Sequence, residues 1–224
     1  AVARGLAALA IAAGLTAAQW LPTLELARLG HIVDIFTRDD GTQPVITPIA
    51  DRARVIALHA GPREALDKDG VWEYLPTFLH SLRTFRQCEG IRYDLVHSHY
   101  WMSGWVGRYL QRLWDIPHVT MFHTLGEVKN RARSDEREPL HRIQTERRVV
   151  GSADAIVAAT AEERDNLITL YGADPERITI VPCGVNLDRF QPRDRAACRG
   201  HRAARGRSGS GRCRGRPRAP TAWG

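Results

Sequence analysis

The pattern of apolar residues between Leu24 and Val181 limits what this chain can fold into more than any other feature. Short β-branched runs alternate with longer stretches of helical spacing. His31–Thr37 (HIVDIFT), Arg54–His59 (RVIALH), Asp94–His97 (DLVH), Pro117–Phe122 (PHVTMF), Ala153–Ala158 (ADAIVA) and Arg177–Val181 (RITIV) read as six strands. A helix ends at Leu24–Leu29, with Gly30 just past its last turn. Phe78, Leu79, Leu82 and Phe85 share one helical face after Pro76. Trp105, Val106, Tyr109, Leu110, Leu113 and Trp114 recur at helical spacing, and Leu140, Ile143, Arg147 and Val150 line one side of a helix from about Pro139. Thr160-Ala-Glu-Glu163 is a capping box opening a helix that runs to about Tyr171. Strands apolar on both faces and alternating with helices predict an α/β fold, a parallel sheet with helices on both faces.

Composition adds limits. With 224 residues, 43% hydrophobic and 25% charged, the chain suits one globular domain plus extras. Four cysteines are too few for a disulfide scaffold, and no apolar run reaches the ~18 residues of a membrane-spanning helix. The net charge of +7 suggests nucleic acid until its distribution is read. From Arg195 to Gly224 there are nine arginines and no acid, so Ala1–Asp194 carries −2. The segment 193–224 is Arg/Gly/Ala/Pro-rich without periodicity, which predicts disorder. It reads either as a basic arm for acidic partners or, the favoured reading, as the product of a shifted frame in a GC-rich gene. Residues 1–22 are also atypical. Their Ala/Leu/Gly-rich stretch resembles a signal peptide, a helix packed on a sheet, or another out-of-frame stretch. Sparse, unpaired cysteines favour a cytoplasmic protein.

In open parallel sheets, ligands bind beyond the carboxyl ends of the strands. There the sequence places His97-Ser-His-Tyr-Trp-Met-Ser-Gly104, His123-Thr-Leu-Gly-Glu-Val-Lys-Asn130, Thr160, and Cys183-Gly-Val-Asn186. Such an edge suits a hydroxyl-rich or phosphorylated small molecule. His97 and His99, two apart, read as pointing to opposite sides of an extended strand, a poor pair for a metal, and no metal is expected. Trp101, Trp105 and Trp114 read as core. His123-Thr124 fits a ligand contact or a satisfied loop pair equally well. Arg142 and Glu146 have the spacing of an ordinary helical ion pair, and Lys68 between Asp67 and Asp69 that of a solvated charge cluster. Phosphate-loop, dinucleotide, zinc and nucleophile-elbow motifs are absent.

Several segments in order resemble the family 4 retaining glycosyltransferases. They are LARLGHIVDIFTR (Leu26–Arg38), DLVHSHYWMSGWVG (Asp94–Gly107), VTMFHTLGEVKN (Val119–Asn130), EPLHRIQTERRVV (Glu138–Val150) and the run from Ala153 to Pro192. The likeness is greatest to the sucrose-phosphate synthase-like and inositol-phosphate branches. It implies the GT-B architecture, two Rossmann-like domains across a cleft. Residues 23–192 would be the amino-terminal, acceptor-binding domain, incomplete because the family's glycine-rich loop is not found in Ala1–Pro22, so that the first strand and its loop are missing or replaced there. It implies transfer of a hexose from a nucleotide-sugar, UDP-glucose or UDP-N-acetylglucosamine, to a sugar- or inositol-phosphate, with no cofactor. His123 would face the donor sugar as the catalytic residue. Lys68, Tyr100, Thr124 and Arg142 would contact the acceptor phosphate. The donor-binding residues lie in the family's other domain, so this half is expected to be inactive alone. The alternatives are a non-catalytic phosphosugar-binding module and nucleic-acid binding through the basic tail; no specific nucleic acid is expected as a partner.

Overall fold

The computed structural model describes residues 7–11, 25–132 and 137–182. The chain divides into Ala1–Pro182 and Cys183–Gly224. The second unit, and with it the expectations for Cys183–Phe190, the boundary at Pro192 and the basic tail, lies outside the described residues.

Among the described residues, eight strands form one sheet: β1 (Ala7–Ile11), β2 (Ile32–Arg38), β3 (Ile46–Ala50), β4 (Ala53–Leu58), β5 (Leu95–His99), β6 (His118–Met121), β7 (Ala155–Ala158) and β8 (Ile178–Ile180). The order is β3-β4-β2-β1-β5-β6-β7-β8, with every pair parallel except β3 with β4. The helices are α1 (Lys68–Glu73), α2 (Leu75–Glu89), α3 (Tyr100–Trp114), α4 (Gly126–Ala132), α5 (Leu140–Ser152) and α6 (Ala161–Tyr171).

The central strands are buried on both faces, as their apolar runs predict, while the edge strands β3 and β8 are largely exposed. Side chains alternate along a strand. Val33, Ile35, Ala53 and Val55 point to one face and pack with Leu26 and Ala27 of the helical residues 25–28. Phe36, Ile56 and Leu58 point to the other and join Phe78 and Leu82 of α2 and Val106 and Leu110 of α3. On that second face Asp34 is 2% exposed, held by Arg54 at 2.7 Å and by the hydroxyl of Tyr93, which donates at 2.6 Å.

Two expected helix faces are corrected, and two strands are added to those read from the sequence. Ala7–Ile11 fills the central position between β2 and β5, so the family's first strand, expected to be missing or replaced, has its place taken by a different sequence. Where the glycine-rich connection would follow lies outside the described residues. β3, with Pro48, was not foreseen; it is an edge strand, where proline's missing N–H costs least. α3 starts at Tyr100 and buries Met102, Ser103, Val106, Gly107 and Leu110, so Tyr109 and Leu113 lie on its outer side, 37% and 49% exposed. In α5 the buried face is Arg142, Ile143, Thr145, Glu146, Val149 and Val150, while Leu140 is exposed, as is the Arg147 side chain.

Trp101 is core at 3% exposed, and Trp105 and Trp114 pack against the core from partly buried positions. The capping box forms with one change. Thr160 accepts from Glu163 N at 3.0 Å, but the Glu163 carboxylate takes the amide of Ala159, one residue before the cap.

Candidate functional site

β5 and β6 are parallel neighbours, with His99 level with Met121. Just past each, a non-glycine residue adopts a left-handed backbone: Tyr100 at φ 76° and His123 at φ 61°. Such conformations cost roughly 1–3 kcal/mol each and persist where the surroundings enforce them. Both sit on the carboxyl edge of the sheet, where an open parallel sheet places its ligands.

The histidines of this edge form a group. His99 Nδ1 lies 2.9 Å from His123 Nε2, with the rings stacked at 5.2 Å. The rings of His97 and His99 are 4.3 Å apart. This overturns the expectation that they face opposite sides; strand side chains repeat every two residues, so positions i and i+2 share a face. Burial pushes His97 down to about 4 and His99 down to about 3, and lowers His123. All three are therefore neutral at pH 7, and one proton joins His99 to His123. Among the described residues, no three His, Cys, Asp or Glu side chains are placed to hold a metal ion.

Beneath this edge runs a buried polar chain. Ser98 Oγ lies 2.7 Å from His118 Nε2 and donates to Thr120 Oγ1 at 3.0 Å. Gly107 of α3 allows the approach: a Cβ there would stand 2.4 Å from His118 Nε2.

Arg142, 1% exposed, organises the other side. Its Nη2 donates to the carbonyl and hydroxyl oxygens of Thr124, both at 3.1 Å. Its guanidinium carbon lies 5.1 Å from the centre of the Tyr100 ring. Nε donates to Glu146 at 2.8 Å, and Nη1 stands 2.8 Å from Glu138 Oε2 as an ion pair without hydrogen-bond alignment. Glu146 is fully buried; it also accepts from Gly126 N and from the Tyr171 hydroxyl. Burial opposes the charge on Arg142, and the two carboxylates outweigh it and raise its pKa. The helical ion pair read from spacing thus exists, but in the core rather than on a solvated face.

Tyr100, Thr124 and Arg142 are therefore brought together. Lys68 opens α1 behind Asp67, whose side chain accepts from Gly70 N at 2.8 Å, and it is exposed. One turn on, Trp72 packs 4.9 Å from Trp101 and 5.2 Å from His141. These are the chain neighbours of Tyr100 and Arg142, so α1 is pinned beside that group. α3 and α5 both begin here without a side-chain cap. Their first-turn N–H groups favour negative charge. Sequence reasoning missed Glu138 and Tyr171: Glu138 lies before the helix-starting Pro139, and Tyr171 reaches Glu146 from 25 residues away.

The profile of Glycosyltransferase Family 4 matches residues 23–189. D-inositol 3-phosphate glycosyltransferase of Corynebacterium kroppenstedtii is 43% identical over 184 residues, covering 80% of this chain and 41% of that protein. D-inositol 3-phosphate glycosyltransferase 2 of Catenulispora acidiphila is 44% identical over 178 residues, 78% of this chain and 42% of that protein. Among solved structures, sucrose-phosphate synthase of Thermosynechococcus elongatus superposes with a TM-score of 0.74 at 27% identity, over 88% of this chain and 52% of that one. The chain spans about two fifths of the length of the curated relatives it matches. With its motifs, its strand-end site and this match, the chain belongs to Glycosyltransferase Family 4.

Proposed function

We propose that this chain forms the acceptor side of a retaining glycosyltransferase that moves a hexose from a nucleotide-sugar, UDP-glucose or UDP-N-acetylglucosamine, to a sugar- or inositol-phosphate. One observation carries the reading: Arg142 reaches the strand-end residues Thr124 and Tyr100 at the mouths of two uncapped helices. A fixed guanidinium, a hydroxyl, a phenol and first-turn N–H groups are the donors a phosphate needs. Lys68, one turn from the anchored Trp72, adds a flexible charge. His123 presents a neutral imidazole beside that site to the donor sugar.

The relatives' printed names speak of inositol phosphate and sucrose phosphate, which supports a phosphorylated acceptor. By itself the chain binds that acceptor and transfers nothing, because a departing diphosphate needs cationic and N–H partners of its own and the cations and first-turn N–H groups of this edge serve the acceptor phosphate. With two or three charge-assisted contacts, affinity is expected at about millimolar to high micromolar. Calorimetry of the 224-residue chain with inositol phosphate tests the binding. Heat that is lost in Thr124→Val and Arg142→Ala supports it, and heat unchanged in both overturns it. Incubation with labelled UDP-sugar and acceptor tests the rest. Product above a His123→Ala control overturns the inactive-half reading.

A further inference from the structure

Arg142 of the site and Lys129 of α4 converge on one carboxylate that the proposed chemistry does not use. Glu138 Oε1 accepts from Lys129 Nζ at 3.0 Å, and Oε2 stands 2.8 Å from Arg142 Nη1. Its own amide donates to Asn130 Oδ1 at 2.7 Å. Glu138 thus ties the end of α4 to the first turn of α5. Its side chain is only 18% exposed, and Lys129 and Arg142 keep its carboxyl below the usual carboxylate range against the effect of burial.

The guanidinium's edges divide the labour. Nε is bound to Glu146 in the core, and Nη2 to Thr124. Nη1 faces Glu138 at hydrogen-bond distance but out of alignment, so it is the least committed donor. Any anion drawn to Arg142 from the Thr124 side meets the Glu138 charge beside it. The other groups around Arg142 are the Tyr100 ring, Glu146 and, through Glu138, Lys129.

We propose that Glu138 is a placeholder anion that holds the Arg142 Nη1 edge and Lys129 in the absence of acceptor, and that an acceptor phosphate displaces it. This rests on the acceptor-phosphate reading above. Glu138 then sets affinity and charge selectivity: it keeps weak anions off Arg142, and on displacement it releases Lys129 as a further cation. A neutral polyol, which does not compete for Arg142, is indifferent to it.

The test is calorimetry of the full chain and of Glu138→Gln, with inorganic phosphate, inositol phosphate and unphosphorylated inositol. Removing the competing charge at this distance should tighten both phosphates by about tenfold and leave inositol unchanged. Equal or weaker phosphate binding by Glu138→Gln, with dependence on Arg142 retained, overturns the placeholder and leaves the acceptor site standing. Phosphate binding by neither protein overturns both. A second measurement guards against a misfolded variant. In the wild-type chain, saturating phosphate should shift the Glu138 carboxyl carbon resonance and raise its pKa; a resonance that does not respond while phosphate binds overturns the proposal.

Discussion

Replacing Gly107 with alanine sets two effects of known sign against each other. α3 gains helix propensity, about 1 kcal/mol for Gly→Ala in a helix interior. Against that, the new Cβ would stand 2.4 Å from Nε2 and 2.9 Å from both Cδ2 and Cε1 of His118. His118 is fully buried and rigid, with Nε2 2.7 Å from Ser98 Oγ and its backbone N–H donating to Asp154 at 2.7 Å. It cannot swing away as an exposed chain end would. Overpacking of this kind costs roughly 1–3 kcal/mol, and loss of the Ser98 contact about 0.5–1.5 kcal/mol more. The net expectation is a destabilisation of about 1–3 kcal/mol, which at this chain length lowers the midpoint by roughly 3–10 °C. Gly151 of α5 is the control, since a Cβ there meets nothing within 4 Å. Gly151→Ala should stabilise by up to about 1 kcal/mol. Thermal and urea unfolding of the two variants, followed by circular dichroism, measure both. If Gly107→Ala matches or exceeds the wild type in stability, the close packing of α3 on His118 is refuted.

Buried histidines give the fold an acid limit. His97, His99 and His118 are held near 4, 3 and 4 in the folded chain against about 6.5 unfolded, so the unfolded chain binds more protons below 6.5 and stability falls with pH. Between pH 7.5 and 5.5 each should remove about 1.4 kcal/mol, so urea midpoints equal at the two values would refute the assignment. Glu146→Ala should cost about 3–5 kcal/mol, because Arg142 is left buried without its aligned partner; chemical denaturation showing under about 1 kcal/mol would argue against it. Trp101→Ala should cost about 3–5 kcal/mol, and a stable variant would remove Trp101 from the core.

Much of the architecture was legible in the sequence. β2 and β4–β7 have compact apolar runs, and α2 and α6 carry conventional stripes or caps. β1 was not, because AALAI is poor in β-branched residues and its place in the sheet depends on pairing with β2 and β5. α5 misled for a different reason. Its inward face contains Arg142 and Glu146, which pattern reading assigns to solvent, and only the meeting of α4, α5 and α6 makes their burial tolerable. The site followed the same division. Strand-end position pointed to Tyr100, His123 and Thr124, and spacing to the pair Arg142–Glu146. The histidine grouping was misjudged through the wrong strand period, and Glu138 and Tyr171 depend on tertiary contacts that no spacing encodes.

β5 passes into α3 with no connecting residue: His99 ends the strand and Tyr100 starts the helix, the reversal being absorbed by the single left-handed φ of Tyr100. A junction of zero length has no slack. One inserted residue would turn α3 by about 100° about its axis, carrying Gly104 away from Val149 and Gly107 away from His118. Change at this point of the chain is therefore confined to substitution. Insertions and deletions accumulated over evolutionary time must fall instead in the long connections that can bend around them, such as residues 39–45 between β2 and β3 and residues 59–67 between β4 and α1.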